Sequence, residues 1–317
     1  MEESGGSPMR KTLALLGFLF SIPYTYAGTS TGAAWMGMPT DAQTAALAGA
    51  TGAWNEGVNS LGVNTAGLAY TKDNEVLFTQ DFWAQQVSQQ HLGFSHEFSP
   101  KVSVALLVDY LSFGNIDSYL ISAGWSPVAN GTISPNAMNL GVGCGVKLST
   151  LFSLGGDVRM VREDLTGTAG STAAGGFGFL MDSHGFKAGL SVANVGGQLN
   201  GADLPMKASV SASYRIALDK PTGMKTISSQ ELGLMAQGDV GMKDSSQTVF
   251  GVGAEYRYAE ILSARVGYRG QNYGELTGLK GLTMGIGVKV KKMELSYALV
   301  TMGDFGKSNL ITLTAGF

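Results

Sequence analysis

Arginines and carboxylates recur in this chain at even spacings. Glu255 and Arg257 stand two apart, as do Asp157 and Arg159, and Arg265 and Arg269 stand four apart. In a β-strand an even spacing puts such side chains on one face. An arginine in a group of this kind can grip a carboxylate through its planar fork of donors. Two readings stay open for Glu255, Arg257, Arg265 and Arg269, and for Asp157 and Arg159 with Lys147 beside them. One is a polar patch that holds a carboxylate head group through Arg265 or Arg269. The other is a ladder of ion pairs, in which buried charges partner one another.

Other chemistry finds no footing. His91, His96 and His184 are the only histidines, and none stands at metal-ligand spacing from a cysteine or carboxylate. The run Gly141-Val142-Gly143-Cys144-Gly145 lacks GxGxxG spacing and reads as the interior of a strand rather than a phosphate cradle. Ser126, before Pro127, and the other serines have no placed base. Neither an enzyme nor a metal or other cofactor is expected. A net charge of −3 without a long charged block gives no support to a nucleic-acid partner.

The elements that must position these residues are read from composition first. Only 14% of the residues are charged, against roughly 25% in an average soluble domain. Glycine supplies 46 of the 317 residues, with neither collagen periodicity nor proline enrichment. Mean hydropathy is +0.11, yet no stretch approaches the ~18 consecutive apolar residues of a spanning helix. That leaves a large buried core or a membrane barrel. Arg10 and Lys11 precede an apolar run from Leu13 to Ile22, and Thr25-Tyr26-Ala27 offers small residues at −3 and −1. This predicts a secretory signal peptide over residues 1–27, with Met9 as an alternative start, and export from the cytoplasm. Cys144 is the single cysteine, so no intramolecular disulfide forms.

From about residue 75 onward the chain alternates with period two. Met138, Leu140, Val142, Cys144, Val146 and Leu148 make one face of a strand, and Asn139, Gly141, Gly143, Gly145, Lys147 and Ser149 the other. The same pattern recurs over 186–192, 262–269 and 311–317, the last ending on Phe317. A soluble sandwich also alternates. Segments of about 9–12 residues, an even count of about fourteen and an aromatic terminus favour a transmembrane barrel. Tight turns at 99–100, 149–150, 183–184, 259–260 and 291–292 fall on one side, and longer connections near 113–136, 163–170, 195–205 and 270–280 on the other; the exception is 218–228, a longish connection that this register puts on the side of the tight turns. Ser118–Ser126 is apolar enough for a strand but would make the count odd, so it reads as part of an external loop. Tyr256, Tyr258, Tyr268 and Tyr297 alternate outward near strand ends, as girdle residues do. Residues 28–74 differ: rich in Ala, Gly and Thr, with a short helical signal from Asp41 to Ala48 that Asp41 could cap, they form a periplasmic arm or a lumenal plug.

Two regions carry a family resemblance. Residues 47–69 (LAGATGAWNEGVNSLGVNTAGLA) are similar to the N-terminal signature of the PorV/PorQ family, within the wider group of FadL-like outer-membrane barrels. The usual signature ends in Asn-Pro-Ala-Gly-Leu-Ala; here Asn64, Ala66 and Gly67 match, and Thr65 replaces the proline. Segments within 251–317, among them Gly-Ala-Glu-Tyr at 253–256 and Arg-Val-Gly-Tyr at 265–268, resemble the family's closing strands. Asn194-Val195-Gly196 followed by Leu204-Pro205 adds a weaker match. The resemblance implies an all-β, fourteen-stranded barrel over 75–317 in the bacterial outer membrane, with the N-terminal segment 28–74 folded into the lumen as a plug. It implies passage of hydrophobic small molecules such as long-chain fatty acids, as in FadL-like relatives. The alternative is a PorV-type role in type IX secretion or surface assembly, gripping cargo protein. Partners on these readings are outer-membrane lipid, a hydrophobic ligand, or secretion-system proteins.

Overall fold

The computed structural model describes residues 31–317 apart from 84–85, 122–126, 166, 220–228, 244–247 and 272–276. The expected signal peptide at 1–27 and most of the 218–228 connection lie outside the described residues. The chain is built from strands. In order these are β1 (Asn74–Phe82), β2 (Ser88–Ser99), β3 (Val102–Ser112), β4 (Ile116–Ile121), β5 (Pro127–Ile133), β6 (Asn136–Lys147), β7 (Phe152–Asp164), β8 (Ala169–Ser183) and β9 (Phe186–Gly196). There follow β10 (Gln198–Leu199), β11 (Ala202–Asp203), β12 (Lys207–Ala217), β13 (Gln230–Gly241), β14 (Val249–Tyr258), β15 (Leu262–Gly270), β16 (Lys280–Val290), β17 (Met293–Met302) and β18 (Lys307–Gly316).

Fourteen of them form one closed antiparallel barrel, from which only β4, β5, β10 and β11 are absent. β1 closes onto β18, with Glu75 opposite Gly316 and Phe82 opposite Asn309. Closure leaves no barrel edge with unpaired backbone groups, the condition for crossing a lipid bilayer with strands. The barrel is that of an outer-membrane protein. The described part of the apolar stretch from Ser118 lies in β4, which pairs with β5 in a separate two-stranded sheet outside the wall, so the barrel count stays even.

The alternation read from sequence is the wall's inside–outside pattern. On β6, Leu140 and Val142 are half exposed on the lipid side, while Asn139, Gly141 and Gly143 are buried toward the lumen. Val158, Leu190, Val266, Ile286 and Leu313 likewise face out. Tyr256, Tyr258, Tyr268 and Tyr297 are all exposed on that outer surface. Short turns gather at the end that holds Asn74 and Phe317, which marks it as periplasmic. Between β8 and β9 the turn is made by His184 and Gly185, both at positive φ (51° and 83°), as a two-residue I′ hairpin requires.

Inside the barrel lies the N-terminal segment. A helix α1 (Ala42–Ala46) packs on β15 to β18, and a 3-10 turn at Thr65–Tyr70 packs on β3, β6, β7 and β8. The fully buried apolar side chains Leu47, Leu61 and Leu68 belong to this segment, so the dry core sits between plug and wall.

Candidate functional site: the sealed lumen

The plug crosses the whole lumen. At the external mouth the Gly32 amide donates to the carbonyl of Asp203 at 2.9 Å. Trp35 then fills a pocket among Leu111, Ala137, Val161, Leu199 and Leu204, and its indole donates to Glu163 at 3.0 Å. Asp41 caps α1 by accepting from the Thr44 amide (2.8 Å) and hydroxyl (2.7 Å), which satisfies an orphan donor of the first turn. Burial raises the Asp41 carboxyl above its ordinary value, and the bonds from Thr44 pull it the other way. Wall hydroxyls grip both ends of the helix: the Ala42 amide donates to Thr312, and Thr283 donates to the Ala46 carbonyl.

Glycine on the lumen face lets plug backbone touch wall backbone. A methyl group added at Gly155 would sit 2.3 Å from the Thr65 carbonyl carbon. At Gly145 it would meet the Ala69 amide nitrogen at 2.4 Å, and at Gly251 the Ala48 oxygen at 2.4 Å. No side chain survives such approaches without backbone movement. The glycine excess thus has a structural cause, a collar closed on the plug.

The signature residues lie in this contact. Asn64 accepts from the Ala66 amide at 3.2 Å and donates to the carbonyls of Gly52 (3.0 Å) and Phe179 (3.3 Å). Thr65, Ala66 and Gly67 form the buried turn that follows. Thr65 donates its hydroxyl to Asp157 at 2.7 Å, and Arg159 holds the other Asp157 oxygen at 2.6 Å.

The sequence-derived charges separate into distinct groups. Glu255, Arg257 and Arg265 come together: Arg265 bonds Glu255 (2.6 Å), Glu294 (2.8 Å) and Ser296 (2.8 Å), while Arg257 takes the second Glu255 oxygen at 2.6 Å. Arg269 is not among them. It sits four residues further along β15, bonded to Gln271 at 2.8 Å and lining a space shared with Lys207 and Asp239. Lys147 is likewise away from Asp157 and Arg159, lying 5.0 Å over the Tyr70 ring. Lys187 covers the same ring at 4.2 Å and pairs with Glu56 of the plug and with Asp182 at 3.2 Å. Burial alone would raise the Glu56 carboxyl, but the Lys187 ammonium more than offsets this and holds it below its ordinary value.

Sequence reasoning missed Glu56, Lys187 and Glu294, and a group built on His91. Asp109 pairs with His91 and accepts from Asn139 at 2.8 Å. Register shows why: Asp109 stands opposite both His91 and Asn139, so three neighbouring strands contribute one row. Three inward polar residues at those positions were the available signal. Among the described residues no cluster of three or more His, Cys, Asp or Glu could hold a metal ion.

Two small cavities lie between plug and wall among the described residues. One cavity of about 10 Å³ is lined by Trp35, Met38, Gln89, His91 and Asn139, and another of about 30 Å³ by Met36, Pro39, Gln237, Asp239 and Arg269. The first is about the size that one water needs, whereas a benzene site takes on the order of 150 Å³.

Comparison with known proteins follows this geometry. Residues 139–311, more than half of the chain, match the family model described as type IX secretion system membrane protein PorP/SprF. The matching model carries that name and not PorV/PorQ; type IX secretion is what the two have in common. The fold is shared with the toluene transporter TbuX of Ralstonia pickettii, at 13% identity and a TM-score of 0.57, over 87% of this chain and 98% of that one. It is shared with the P. putida toluene transporter TodX at 10% identity and a TM-score of 0.58, over 87% and 98%. The monoaromatic hydrocarbon channel CymD gives 10% and 0.54, over 88% and 97%. At such identities the likeness is one of fold alone. No curated protein matches the chain.

Proposed function

Because the chain belongs to the PorP/SprF family of type IX secretion system membrane proteins, we propose that it serves protein secretion as a barrel whose plug stays seated. It works as an outer-membrane platform for secretion-system proteins and passes no small molecule through its lumen. The observation that carries this reading is the sealed lumen. Plug and wall are in backbone contact at Gly145, Gly155 and Gly251, and two cavities between them measure only about 10 and 30 Å³. A monoaromatic hydrocarbon or an acyl chain entering from outside would have to displace Trp35 and break its bond to Glu163. The charged groups Glu255, Arg257, Arg265, Asp157 and Arg159 are spent on partners within the barrel and its plug, which favours a holding role for them.

The passage reading keeps one argument, the barrel it shares with toluene transporters. A locked plug separates the two. Cysteines replacing Gly52 and Ser211 would lie close to disulfide distance, since a Cβ at Gly52 falls 3.2 Å from that of Ser211. With Cys144 replaced by serine, the oxidised pair ties plug to wall. In the native bacterium, deletion of the gene is expected to stop release of type IX cargo, and the locked barrel to restore it. Restoration that appears only after reduction would mean that the plug must move, and the sealed-platform reading would fail.

A further inference from the structure

The lipid-facing wall is not uniform. Two neighbouring rows of outward side chains cross the strands β2, β3, β6 and β7. The upper row is Phe94, Leu106, Val142 and Val158, each opposite the next in register. The lower row runs from His96 through Val104 and Cys144 to Gly156. Along it the side chains shrink from valine to cysteine to glycine. A groove of about 650 Å³ therefore opens beneath the upper row and reaches the wall at Gly143 and Gly176. Its lining is apolar almost throughout, and its volume lies in the range of ligand pockets of ~300–1,000 Å³.

The lower row is inclined, and it continues past the groove from Val104 to His96. His96 lies three residues from the periplasmic end of β2 at Ser99, whereas Phe177, opposite Gly156, lies six residues from the corresponding end of β8 at Ser183. The row thus climbs from the periplasmic rim toward the middle of the membrane. Its low end is polar: His96 shares a 2.8 Å hydrogen bond through Nδ1 with Asn74 and offers its other ring nitrogen at the rim. An apolar seat rising from a polar foot matches one class of molecule that surrounds this wall.

We propose that this groove binds a phospholipid of the periplasmic leaflet, with one acyl chain along Val104, Cys144 and Gly156 and the head group at His96 and Asn74. The apolar surface of the seat is continuous with the lipid-facing belt, so the occupant is drawn from the bilayer itself and not from the lumen. This site does not rest on the secretion role, and its floor includes Asp157, which accepts from Thr65 of the plug at 2.7 Å.

The test uses the full-length protein extracted in mild detergent and supplied with phosphatidylethanolamine. Gly156→Leu fills the groove, and its Cβ meets only the Gly176 oxygen at 3.5 Å, an ordinary contact, so the wall should close normally. Val266→Leu adds bulk on the lipid face of β15, away from the groove. Native mass spectrometry should find one retained phospholipid on the wild type and on Val266→Leu, and at least fivefold less on Gly156→Leu. His96→Ala should fall between. A diazirine-bearing acyl chain should label peptides spanning 142–158 in the wild type. Equal retention by all variants, or labelling spread evenly around the barrel, overturns the proposal. So does a wild-type dimer that Gly156→Leu abolishes, which would give the seat to a second copy of the chain. Heat-modifiable mobility on gels checks that each variant is folded.

Discussion

Thr65 of the plug donates its hydroxyl to Asp157 of the wall at 2.7 Å, in a contact where both residues are buried. The PorV/PorQ signature that this segment resembles has proline at this position. Proline suits the first residue of a helical turn, where its missing amide is no loss, but it has no hydroxyl to offer. In this chain a plug-to-wall hydrogen bond stands where that signature has a rigid ring. Thr65→Val keeps the shape and removes the bond, leaving Asp157 to Arg159 alone. A loss of about 1–3 kcal/mol is expected, the cost of an unmet buried acceptor. Unfolding followed by heat-modifiable mobility in detergent measures it, and an unchanged midpoint would mean that the contact holds nothing.

Gly155 and Gly156 are adjacent on β7 and point to opposite sides of the wall. A Cβ at Gly155 would enter Thr65 at 2.3 Å, while one at Gly156 meets a single oxygen at 3.5 Å. Gly155→Ala should therefore cost about 1–3 kcal/mol by overpacking, and Gly156→Ala should stay within about 0.5 kcal/mol. Similar midpoints for the two would show that the collar has slack.

The side of the wall on which each residue falls was legible in the sequence because lipid and lumen impose opposite demands on alternate positions. The cap of α1 at Asp41 was legible too, since its signal is local. Which lumenal charges meet was not. Lys147 stands opposite Ser153 and Asp157 opposite Gly143, so the two charges lie four residues apart along the strands. At ~3.3 Å per residue that is about 13 Å, and alternation carries no information on such offsets. Arg269 left the Arg265 group for the same reason. The path of Trp35 to Glu163 depends on closure of the barrel and has no local signal at all.

Arg265 is the centre of the largest buried ion group, with Glu255 equally buried. Arg265→Met leaves Glu255 and Glu294 without their main partner. Breaking one side of such a pair typically costs about 3–5 kcal/mol, whereas replacing both sides by apolar groups costs far less. The double variant Arg265→Met with Glu255→Leu should therefore recover much of the loss in detergent unfolding. Failure of the second change to help would assign the loss to packing of the arginine stem.

Acid should weaken the hold of Lys187 on the plug. The Glu56 carboxyl is held below its ordinary value of 4.5 by Lys187. A depressed carboxyl contributes stability that is fully present above the unfolded value and is lost as pH falls through the folded one. Glu56→Gln removes the dependence. The difference in midpoint between wild type and Glu56→Gln, present at pH 7, should shrink below about pH 4. A difference that is constant with pH would mean that the pair acts by shape and not by charge.

Trp35 closes the external end, and its loss should open that end without releasing the plug. The strap at 31–40 is held by the Trp35 pocket, the Glu163 bond and the Gly32 contact, whereas residues 41–70 lie within the glycine collar. Trp35→Ala removes the largest apolar contact of the strap, a change that costs about 3–5 kcal/mol in a fixed core. A strap held at few points can instead detach, so the global unfolding midpoint should move little. Protease added outside intact cells should then cut within the strap of Trp35→Ala and not within that of the wild type. Planar-bilayer recordings of the variant should stay silent, because Gly145, Gly155 and Gly251 still hold the segment below. Steady conductance from Trp35→Ala would place the seal at the strap and not at the collar.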